Sequence, residues 1–427
     1  MAVDQLSERA VTRLRTLEPA DPLDDLDWLG AAIGDARVVA IGESAHYNRE
    51  SYQLRHRLLR YLVERHGFGA YAVESGFVEG VQVDRWIQGG ADELGRVMAE
   101  GMTSLMGLWT PMGEHLRWMR QHHETPRLYG IDTPGSNASL LPGIDAVYAY
   151  LARADPGFVP DPAIRETAAA FAASSAFAIP ATFAAYGDLP VGARNALTAG
   201  LADLTARMTA HRTDYPRRAT GYDRALQSLH LTVALDAVFR ELARGDQRAM
   251  MLTREAAIAD TVDWILRRED RVVLAAHNGH LHRGPVAMPG LAPAATAGTH
   301  LADRLGADYL VIGTTTGTGQ TLSTDFFGGT LFEEMDVPRP GSLDALMAAS
   351  CHDGPFATDL RTLSPADLSA VRAVAHQRFG TFYVESNAAD AYDLIIHLPR
   401  VTAAEPDRAA LEHSPRDVRE AFARWGA

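Results

Sequence analysis

The sequence predicts an α/β fold: a mostly parallel sheet covered by helices, with a helical insertion or lid and a smaller C-terminal α/β portion. Two observations support this prediction. Short apolar, β-branched runs alternate with segments of helical periodicity, which is the pattern of parallel strands joined by crossover helices. Strand patterns are then missing from residues 138–265, where Ala-, Leu- and Arg-rich segments predict helices instead.

The first predicted strand, 37–41, is a short apolar run that leads into Gly42. Such a run followed by glycine is typical of a buried strand that enters a turn. Residues 48–65 carry an apolar stripe at helical spacing, which predicts an amphipathic helix. Three further apolar runs predict strands that end beside titratable residues: 70–74, 127–132 and 271–276.

The rest of the chain completes this architecture. Residues 309–313 and 392–397 return to strand patterns, whereas 314–321, rich in Gly and Thr, predict a loop. We therefore expect three parts, which are the first part of the α/β catalytic core (1–137), the helical insertion or lid (138–265), and the completion of the core with the smaller α/β portion (266–427).

The composition excludes several classes of protein. The chain has 427 residues, of which 47% are hydrophobic and 22% charged, and these are ordinary proportions for a globular protein. The net charge of −14 argues against binding to nucleic acid, which requires a basic surface. Because Cys351 is the sole cysteine, an intramolecular disulfide and a cysteine-rich zinc site are both excluded.

The sequence also predicts a compartment. Residues 1–5 (MAVDQ) have no basic region that leads into an apolar run, so no signal peptide is expected. No segment approaches the roughly 18 apolar residues that a membrane-spanning helix requires. With a single cysteine, these features predict a cytoplasmic protein that acts on a small molecule and binds neither membrane nor nucleic acid. The oligomeric state is left open.

Titratable side chains follow four of the predicted strands. The residues are Glu43 and His46, then Glu74, then Asp132, and finally His277 and His280. In parallel sheets, ligands bind beyond the carboxyl ends of the strands. One polar residue at a strand end would be unremarkable, whereas titratable residues at four ends predict a shared site.

His46 is a candidate general base, because imidazole has the side-chain pKa nearest neutrality. Glu43 would orient the imidazole or stabilise its protonated form, unless the two residues merely cap the following helix. Arg55 would bind a developing oxyanion or pair with Glu74, unless it is a solvated helix arginine. Ser44 stays a conceivable nucleophile, although the G-x-S-x-G elbow is absent.

His277 and His280 allow three interpretations. Together with His46 and the glutamates, they would form a zinc or iron site. Without a metal, they would serve as an acid and an oxyanion donor, or they would be structural residues bonded to the backbone. Phosphate-loop and dinucleotide-binding motifs are absent, so kinases and nicotinamide-dependent enzymes have little support.

Taken together, these motifs resemble the erythromycin esterase family. The resemblance rests first on the segment 41–46 (IGESAH), Arg55, 73–74 (VE) and 276–280 (AHNGH). Further matches are Trp109 and Glu114 before a predicted helix, 129–132 (YGID), Arg254 and Glu255 before the helix that leads into the histidine strand, and 298–319. The resemblance covers about residues 30–400, and its motifs are specific as a set although each alone is weak.

The resemblance implies metal-independent hydrolysis in a deep cleft of an α/β core with a helical domain. By position, His46 would be the general base that activates water, and Glu43 and Glu74 would support it. The remaining expected catalytic residues are Arg55, His277 and His280. Substrate contacts are expected from Ser44, Trp109, Glu114, Asp132, Asn278 and Arg254, and neither a cofactor nor a metal is expected.

The expected reaction is hydrolysis of a carboxylic ester or macrolactone in a macrolide- or polyketide-like substrate. One alternative is a biosynthetic enzyme of secondary metabolism with the same fold that performs acyl transfer, dehydration or cyclisation. A binding protein without activity and a metal-dependent enzyme are further alternatives. Two departures from the family bear on the substrate: 274–276 (LAA) lack an expected tryptophan before His277, and 163–212 are Ala-rich with few aromatic residues.

Overall fold

The computed structural model describes residues 5–122, 126–173, 175–287, 290–351 and 353–426. Residues 1–4, which carry most of the segment used to predict that no signal peptide is present, lie outside this part of the chain. The strands are β1 (Thr12–Arg13), β2 (Val38–Glu43), β3 (Ala70–Gly76), β4 (Arg127–Asp132), β5 (Val272–His277), β6 (Tyr309–Leu322), β7 (Phe332–Glu334), β8 (Phe356–Asp359), β9 (His376–Phe379), β10 (Phe382–Glu385) and β11 (Leu394–Val401).

One large sheet forms the centre of the protein. In the described residues its strand order is β1-β8-β11-β6-β2-β5-β3-β4, with β7 also paired to β6. The strands from β11 to β4 run parallel to their neighbours, whereas β1, β7 and β8 pair antiparallel. The predicted α/β fold with a mostly parallel sheet is therefore confirmed.

Helices connect the strands and cover the sheet. They are α1 (Trp28–Ile33), α2 (Arg49–His66), α3 (Phe77–Ile87), α4 (Leu94–Gly101), α5 (Thr110–Gln121), α6 (Leu141–Ala154), α7 (Pro162–Ala169), α8 (Ile179–Asp188), α9 (Val191–Ala210), α10 (Tyr215–Arg218), α11 (Tyr222–Ala243), α12 (Gln247–Leu266), α13 (Asn278–Leu281), α14 (Ala297–Leu305), α15 (Leu343–Ser350), α16 (Pro365–Ala373), α17 (Ala388–Ala391), α18 (Arg408–Glu412) and α19 (Arg416–Trp425). Short 3₁₀ helices occupy Glu8–Ala10, Asp24–Leu26, Gly135–Asn137, Ala176–Ala178, Gly306–Asp308, Phe326–Gly328 and Leu360–Thr362. Among the described helices, none is both long and apolar enough to cross a membrane.

Strand β2 is buried on both faces, which explains its uninterrupted apolar sequence from Val38 to Ile41. Val38 and Ala40 pack with residues of α12 on one face of the sheet, whereas Val39 and Ile41 pack with residues of α2 on the other. Because helices cover both faces, the strand has no side that meets solvent. Each fully buried side chain of the size of valine or isoleucine contributes about 1.5–3 kcal/mol through the hydrophobic effect.

The predicted helices between β4 and β5 are present as α6 to α12, and the described residues there contain no strand. This segment has an apolar cluster of its own, which includes Ile144, Leu151, Leu201, Leu204 and Phe239. The division into the parts 1–137, 138–265 and 266–427 stays a prediction.

The prediction of a loop at 314–321 was wrong, because this segment is the second half of β6 and pairs in parallel with β11. Glycine is depleted in strands, so a run rich in glycine indicates a loop when only the sequence is considered. Here the glycines permit close packing. A Cβ on Gly313 would lie 2.7 Å from the ring of Tyr392, and one on Gly317 would lie 2.3 Å from the carbonyl oxygen of Pro399.

Strands β9 and β10 form a separate two-stranded hairpin. Its turn contains Gly380, which has a φ of +62°, a backbone conformation that glycine adopts at little cost. The N–H of Gly380 donates to the carbonyl oxygen of Ser44 at 2.6 Å. The hairpin is therefore attached to the turn that follows β2.

Candidate active site

The carboxyl ends of β2, β5, β3 and β4 lie side by side at one edge of the sheet. Glu43 at the end of β2 is paired in register with His277 at the end of β5. Strand β3 follows β5 in the sheet, and β4 follows β3. Because these strands are parallel, their carboxyl ends share an edge. The residues gathered there from the predicted set are Glu43, His46, Arg55, Glu74, Asp132, Arg254, His277 and His280.

Glu43 is fully buried and binds two of these residues at once. Its Oε1 lies 2.7 Å from Nδ1 of His46, and its Oε2 accepts a hydrogen bond from Nη2 of Arg55. Arg55 is itself buried, so the expectation of a solvated helix arginine was wrong. Its carboxylate partner is Glu43 rather than Glu74, which corrects a second expectation. Charge-assisted hydrogen bonds of this kind are strong and directional. The carboxylate therefore fixes the orientation of the imidazole.

The alternative of a helix cap is also wrong for this pair. Helix α2 begins at Arg49, and its N-cap residue is Asn48, which lies beyond His46. The β2–turn–α2 unit instead presents Glu43, His46 and Arg55 to one another.

The second ring nitrogen of His46 makes no hydrogen bond to any described residue. Nε2 lies 3.9 Å from Oε1 of Glu74, beyond hydrogen-bond distance, and the side chain is 24% exposed. Burial lowers the pKa of His46 below its usual 6.5, and His280 and Arg254 act in the same direction, while Glu74 opposes them. Since a carboxylate only accepts, Nδ1 carries the hydrogen and Nε2 presents a lone pair.

His280 lies between two carboxylates. Its Nδ1 is 2.6 Å from Oε1 of Glu255, and its Nε2 is 3.1 Å from Oε1 of Glu74. Burial by itself lowers the pKa of His280, but the two carboxylates outweigh burial and raise the pKa to about 10. The ring is therefore an imidazolium cation near neutral pH, with both nitrogens donating.

Glu255 is a buried site residue that was not among the expected catalytic or substrate-binding residues, although it was one of the matches to the family. Besides His280, it accepts a hydrogen bond from the N–H of Ala297 at 2.8 Å. The available signal was its place beside Arg254 in a segment that resembles the family. Both residues lie inside α12 rather than before a helix, which corrects their predicted position.

His277 has both ring nitrogens occupied by the backbone. The N–H of Gly279 donates to Nδ1 at 3.0 Å, and Nε2 lies 3.2 Å from the carbonyl oxygen of Ser44. Burial is the largest effect on the pKa of His277 and, together with His46, lowers it to about 3. The ring is therefore neutral, with its hydrogen on Nε2. This arrangement matches the interpretation of a structural histidine bonded to the backbone.

Glu74 connects the histidines to a second ion pair. Its Oε2 accepts from the backbone N–H of His277 at 2.7 Å, and its Oε1 lies 3.7 Å from Nη2 of Arg254. Burial opposes the ionisation of Glu74, but His280, His46 and Arg254 outweigh burial and hold its pKa well below the usual value. Arg254 also donates from Nε and Nη2 to Asp132, at 3.0 and 2.5 Å. The side chain of Arg254 is 25% exposed.

Two of the expected substrate contacts are bound to the protein instead. Ser44 is 1% exposed, and its hydroxyl lies 3.5 Å from that of Thr316. Asn278 is fully buried, and its amide exchanges two hydrogen bonds with the backbone of Thr314, at 2.8 and 3.1 Å. Asn278 therefore joins α13 to β6, and neither side chain faces a space that a substrate would enter.

Trp109 and Glu114 are also separate from the site. Trp109 is 1% exposed and stacks on Tyr47 with ring centroids 5.2 Å apart. Tyr47, directly after His46, has a φ of +64°, which is strained for a bulky residue, and its hydroxyl donates to the carbonyl of Ser104 at 2.5 Å. Trp109 thus supports the turn of His46. Glu114 is exposed within α5 rather than placed before a helix.

A metal site was one interpretation of the histidine pair. Within the described part of the chain, no group of three or more His, Cys, Asp or Glu side chains is arranged to hold a metal ion. The local reason is that the ring nitrogens of His277 and His280 are already engaged in hydrogen bonds. Metal ligation would have to replace those bonds.

Comparison with known proteins gives consistent relatives. Two curated proteins of Escherichia coli match over nearly their whole length: erythromycin esterase type II is 27% identical, with 91% of this chain and 95% of the relative covered, and type I is 26% identical, with 90% and 95% covered. The family model of erythromycin esterase matches residues 63–401. Glu43, His46 and Arg55 precede the matched range.

Solved structures share the fold. A Bacillus cereus protein superposes with a TM-score of 0.77 at 18% identity, covering 93% of this chain and 97% of its own. A succinoglycan biosynthesis protein gives 0.76 at 19% identity, covering 93% and 96%. An erythromycin esterase mutant in its open conformation gives 0.75 at 22% identity, covering 91% and 97%. With the family model matching most of the sequence, the chain belongs to the erythromycin esterase family, a family of hydrolases.

Proposed function

We propose that this protein hydrolyses a carboxylic ester or macrolactone, and that His46 is the general base that activates the attacking water. The observation that carries the proposal concerns the three histidines of the site. In His277 and His280 both ring nitrogens are hydrogen-bonded, whereas Nε2 of His46 has no such bond within the described residues. A general base needs a free lone pair within reach of the proton that it removes.

The position of Glu74 supports the placement of water. Its Oε1 lies 3.9 Å from Nε2 of His46, a separation too long for a direct hydrogen bond and suited to two groups that share one water molecule. As this water attacks the carbonyl carbon, Nε2 takes its proton. Glu43, held by Arg55, stabilises the imidazolium that forms.

Arg254, whose side chain is partly exposed, supplies positive charge near the reacting carbonyl. It lies 3.7 Å from the same Oε1 of Glu74 that faces His46. Donors that are already in place where negative charge develops lower the barrier, because they need not reorganise during the reaction. We assign oxyanion stabilisation to Arg254 rather than to Arg55, since Arg55 is buried against Glu43.

Direct attack by water is favoured over a seryl intermediate. The hydroxyl of Ser44 is buried beside Thr316, and the nearby imidazole of His277 binds the Ser44 carbonyl rather than its hydroxyl. We also propose that the reaction needs no metal. The names of the two curated relatives make macrolides the first substrates to test, and inactivation of a macrolide would make the protein an antibiotic-resistance enzyme.

The test is a screen of ester-bearing polyketides and macrolactones of several ring sizes, with product mass as the readout. Hydrolysis adds the mass of one water, whereas cyclisation or dehydration does not. We expect His46→Ala to lower kcat by about 10³-fold, because general-base catalysis contributes about 10²–10⁴.

The matched control is His211→Ala, which changes a histidine on the exposed side of the helical segment and should leave kcat unchanged. Prior treatment with a chelator should also have no effect. Full activity of His46→Ala would overturn the role of the base, and loss of activity on chelation would overturn the metal-free reaction.

A further inference from the structure

The cavities of the protein differ in lining. Two of them, of about 950 and 660 Å³, have charged walls that include Arg85, Arg153 and Arg224 in the first and Glu100, Asp145 and Arg416 in the second, and no residue of the candidate site lines either. Another, beside the candidate site, has a volume of about 440 Å³, within the range typical of ligand sites. Its walls are mostly apolar.

The apolar walls come from three separate parts of the chain. Met250 and Met251 lie at the start of α12, Leu291 lies in the connection before α14, and Phe379 and Phe382 belong to the β9–β10 hairpin. All of these except Phe379 are only half-buried. Half-buried apolar side chains that converge on one space favour a ligand of the same character, since covering them removes apolar surface from water.

This hydrophobic wall is distinct from the main cores of the protein. Phe379 packs in a small cluster with Val286 and Val384, against which Phe382 also rests. None of these residues belongs to the two clusters that cover the faces of the sheet. The cluster therefore packs within the hairpin and along the cavity rather than against the sheet.

The floor of the cavity is the candidate active site. Arg254, His277 and His280 line it. The ring of Phe379 meets the ring of His277 edge to face at a centroid distance of 4.9 Å, and the His277 ring lies 5.2 Å from that of His46. His46 does not line the cavity, but its ring lies beside that of His277, which does, so one side of an ester bound beside His46 would reach the cavity past His277.

We propose that this cavity is a hydrocarbon subsite, which binds the aliphatic segment attached to the scissile ester, and that Phe379, Phe382, Met250 and Met251 determine its specificity. The inference rests on the proposed function for the location of the reacting ester. The chemistry of the ligand follows from the walls, because apolar surfaces discriminate by length and bulk of the hydrocarbon. Methionine adapts to varied shapes, which suits branched aliphatic chains.

The test measures binding without turnover. Straight-chain methyl ketones mimic methyl esters and cannot be hydrolysed, so calorimetry gives their Kd on the wild-type protein. We expect the affinity to rise about fourfold for each added methylene until the cavity is full. Ala295→Phe, which adds a ring at the wall of the cavity, should abolish this dependence on length.

Ala146→Phe is the matched control, because Ala146 lines the cavity of about 950 Å³ instead. Phe382→Ala provides a second variant, which enlarges the subsite and should move the optimum to longer chains. Affinity that does not change with chain length, or a length dependence that survives Ala295→Phe in a protein with a native thermal transition, would overturn the subsite. Since ketones are not cleaved, a protein that binds them as expected but hydrolyses no ester would refute only the proposed function.

Discussion

The turn after β2 and the turn after β5 both place histidines in the same site, but the hydrogen bonding of the ring nitrogens differs between them. After β2, a buried carboxylate holds one nitrogen of His46 and leaves the other without a bond to the described residues. After β5, the backbone occupies both nitrogens of His277, and two carboxylates occupy both nitrogens of His280. The first turn presents a histidine with one ring nitrogen left without a bond to the described residues, whereas the second presents a neutral histidine and a histidine held as a cation.

The bonding of the ring, rather than the residue type, decides what each histidine can do. The pKa of His277 is lowered to about 3 and that of His280 is raised to about 10, although the residues are three positions apart. Burial acts on both, but only His280 has carboxylates on either side. Substitutions that alter the bonding of one histidine at a time test this difference.

The largest effect is expected from Glu43→Gln, which disturbs the β2 turn. The amide would donate to Nδ1 and move the hydrogen of His46 to Nε2, where a base needs its lone pair. It would also leave the buried Arg55 without its counter-charge. We expect kcat to fall by at least ~100-fold, by analogy with the loss of orientation in catalytic triads.

Glu64→Gln is the control for this change, because Glu64 forms a surface ion pair with Arg60 on the same helix. Steady-state kinetics and thermal unfolding of both variants separate catalysis from stability. A Glu43→Gln enzyme within a few-fold of wild type would show that the carboxylate does not orient the base.

An intermediate effect is expected from Glu255→Gln, which removes one of the two carboxylates beside His280. The pKa of His280 should fall from about 10 toward the neutral range. Activity should then gain a basic limb at lower pH than in the wild type, because the ring would lose its charge there. NMR titration of the ring measures the pKa directly, and a kcat–pH profile measures its consequence.

The sign of the stability change follows from the same shift. A histidine whose pKa is raised on folding contributes stability that is fully present below its unfolded value near 6.5, and that is lost as the pH rises through about 10. Glu255→Gln should therefore destabilise the protein most at about pH 6.5 and just below, less as the pH rises through neutrality, and least above pH 10. Glu241→Gln, in an exposed pair with Arg244, is the control. An unchanged titration of His280 would contradict the assignment of Glu255.

The smallest effect on chemistry is expected from His277→Gln. Since the ring of His277 is neutral and bonded to the backbone, its loss should lower stability by about 1–2 kcal/mol through the cap of α13 and the Ser44 contact. We expect kcat to fall less than tenfold with no change in the shape of the pH profile. Denaturant unfolding and a kcat–pH profile measure the two effects, and a profile that loses a limb would mean that His277 exchanges protons during turnover.

The sequence was sufficient to predict the sheet and the convergence of residues at its edge. The apolar runs predict the strands, and the residues that follow them, Glu43, Glu74, Asp132 and His277, predict the site. In a parallel sheet the carboxyl ends of the strands lie at one edge, so these residues are brought together. It was insufficient for the 314–321 segment, where close packing against β11 overrides the low strand propensity of glycine.

The sequence could not distinguish the roles of the polar residues. Asn278 and Ser44 stand within the motifs, but Asn278 binds the backbone of Thr314, and the carbonyl of Ser44 accepts from Gly380 and His277. Glu255, by contrast, stands outside the strand ends and reaches the site from α12. Such contacts join positions far apart in the chain, and neither periodicity nor spacing contains them.

The pairing of β2 has a consequence for biosynthesis. Both of its neighbours, β5 and β6, begin only at Val272 and Tyr309, after the whole helical segment. While the chain emerges from the ribosome, the backbone N–H and C=O groups on both edges of β2 therefore have no partner strand, and such unpaired edges are templates for association with other chains. His46 after β2 and His280 after β5 are therefore synthesised at widely separated times, and the edges of β2 must be kept from other chains until β5 and β6 have been made.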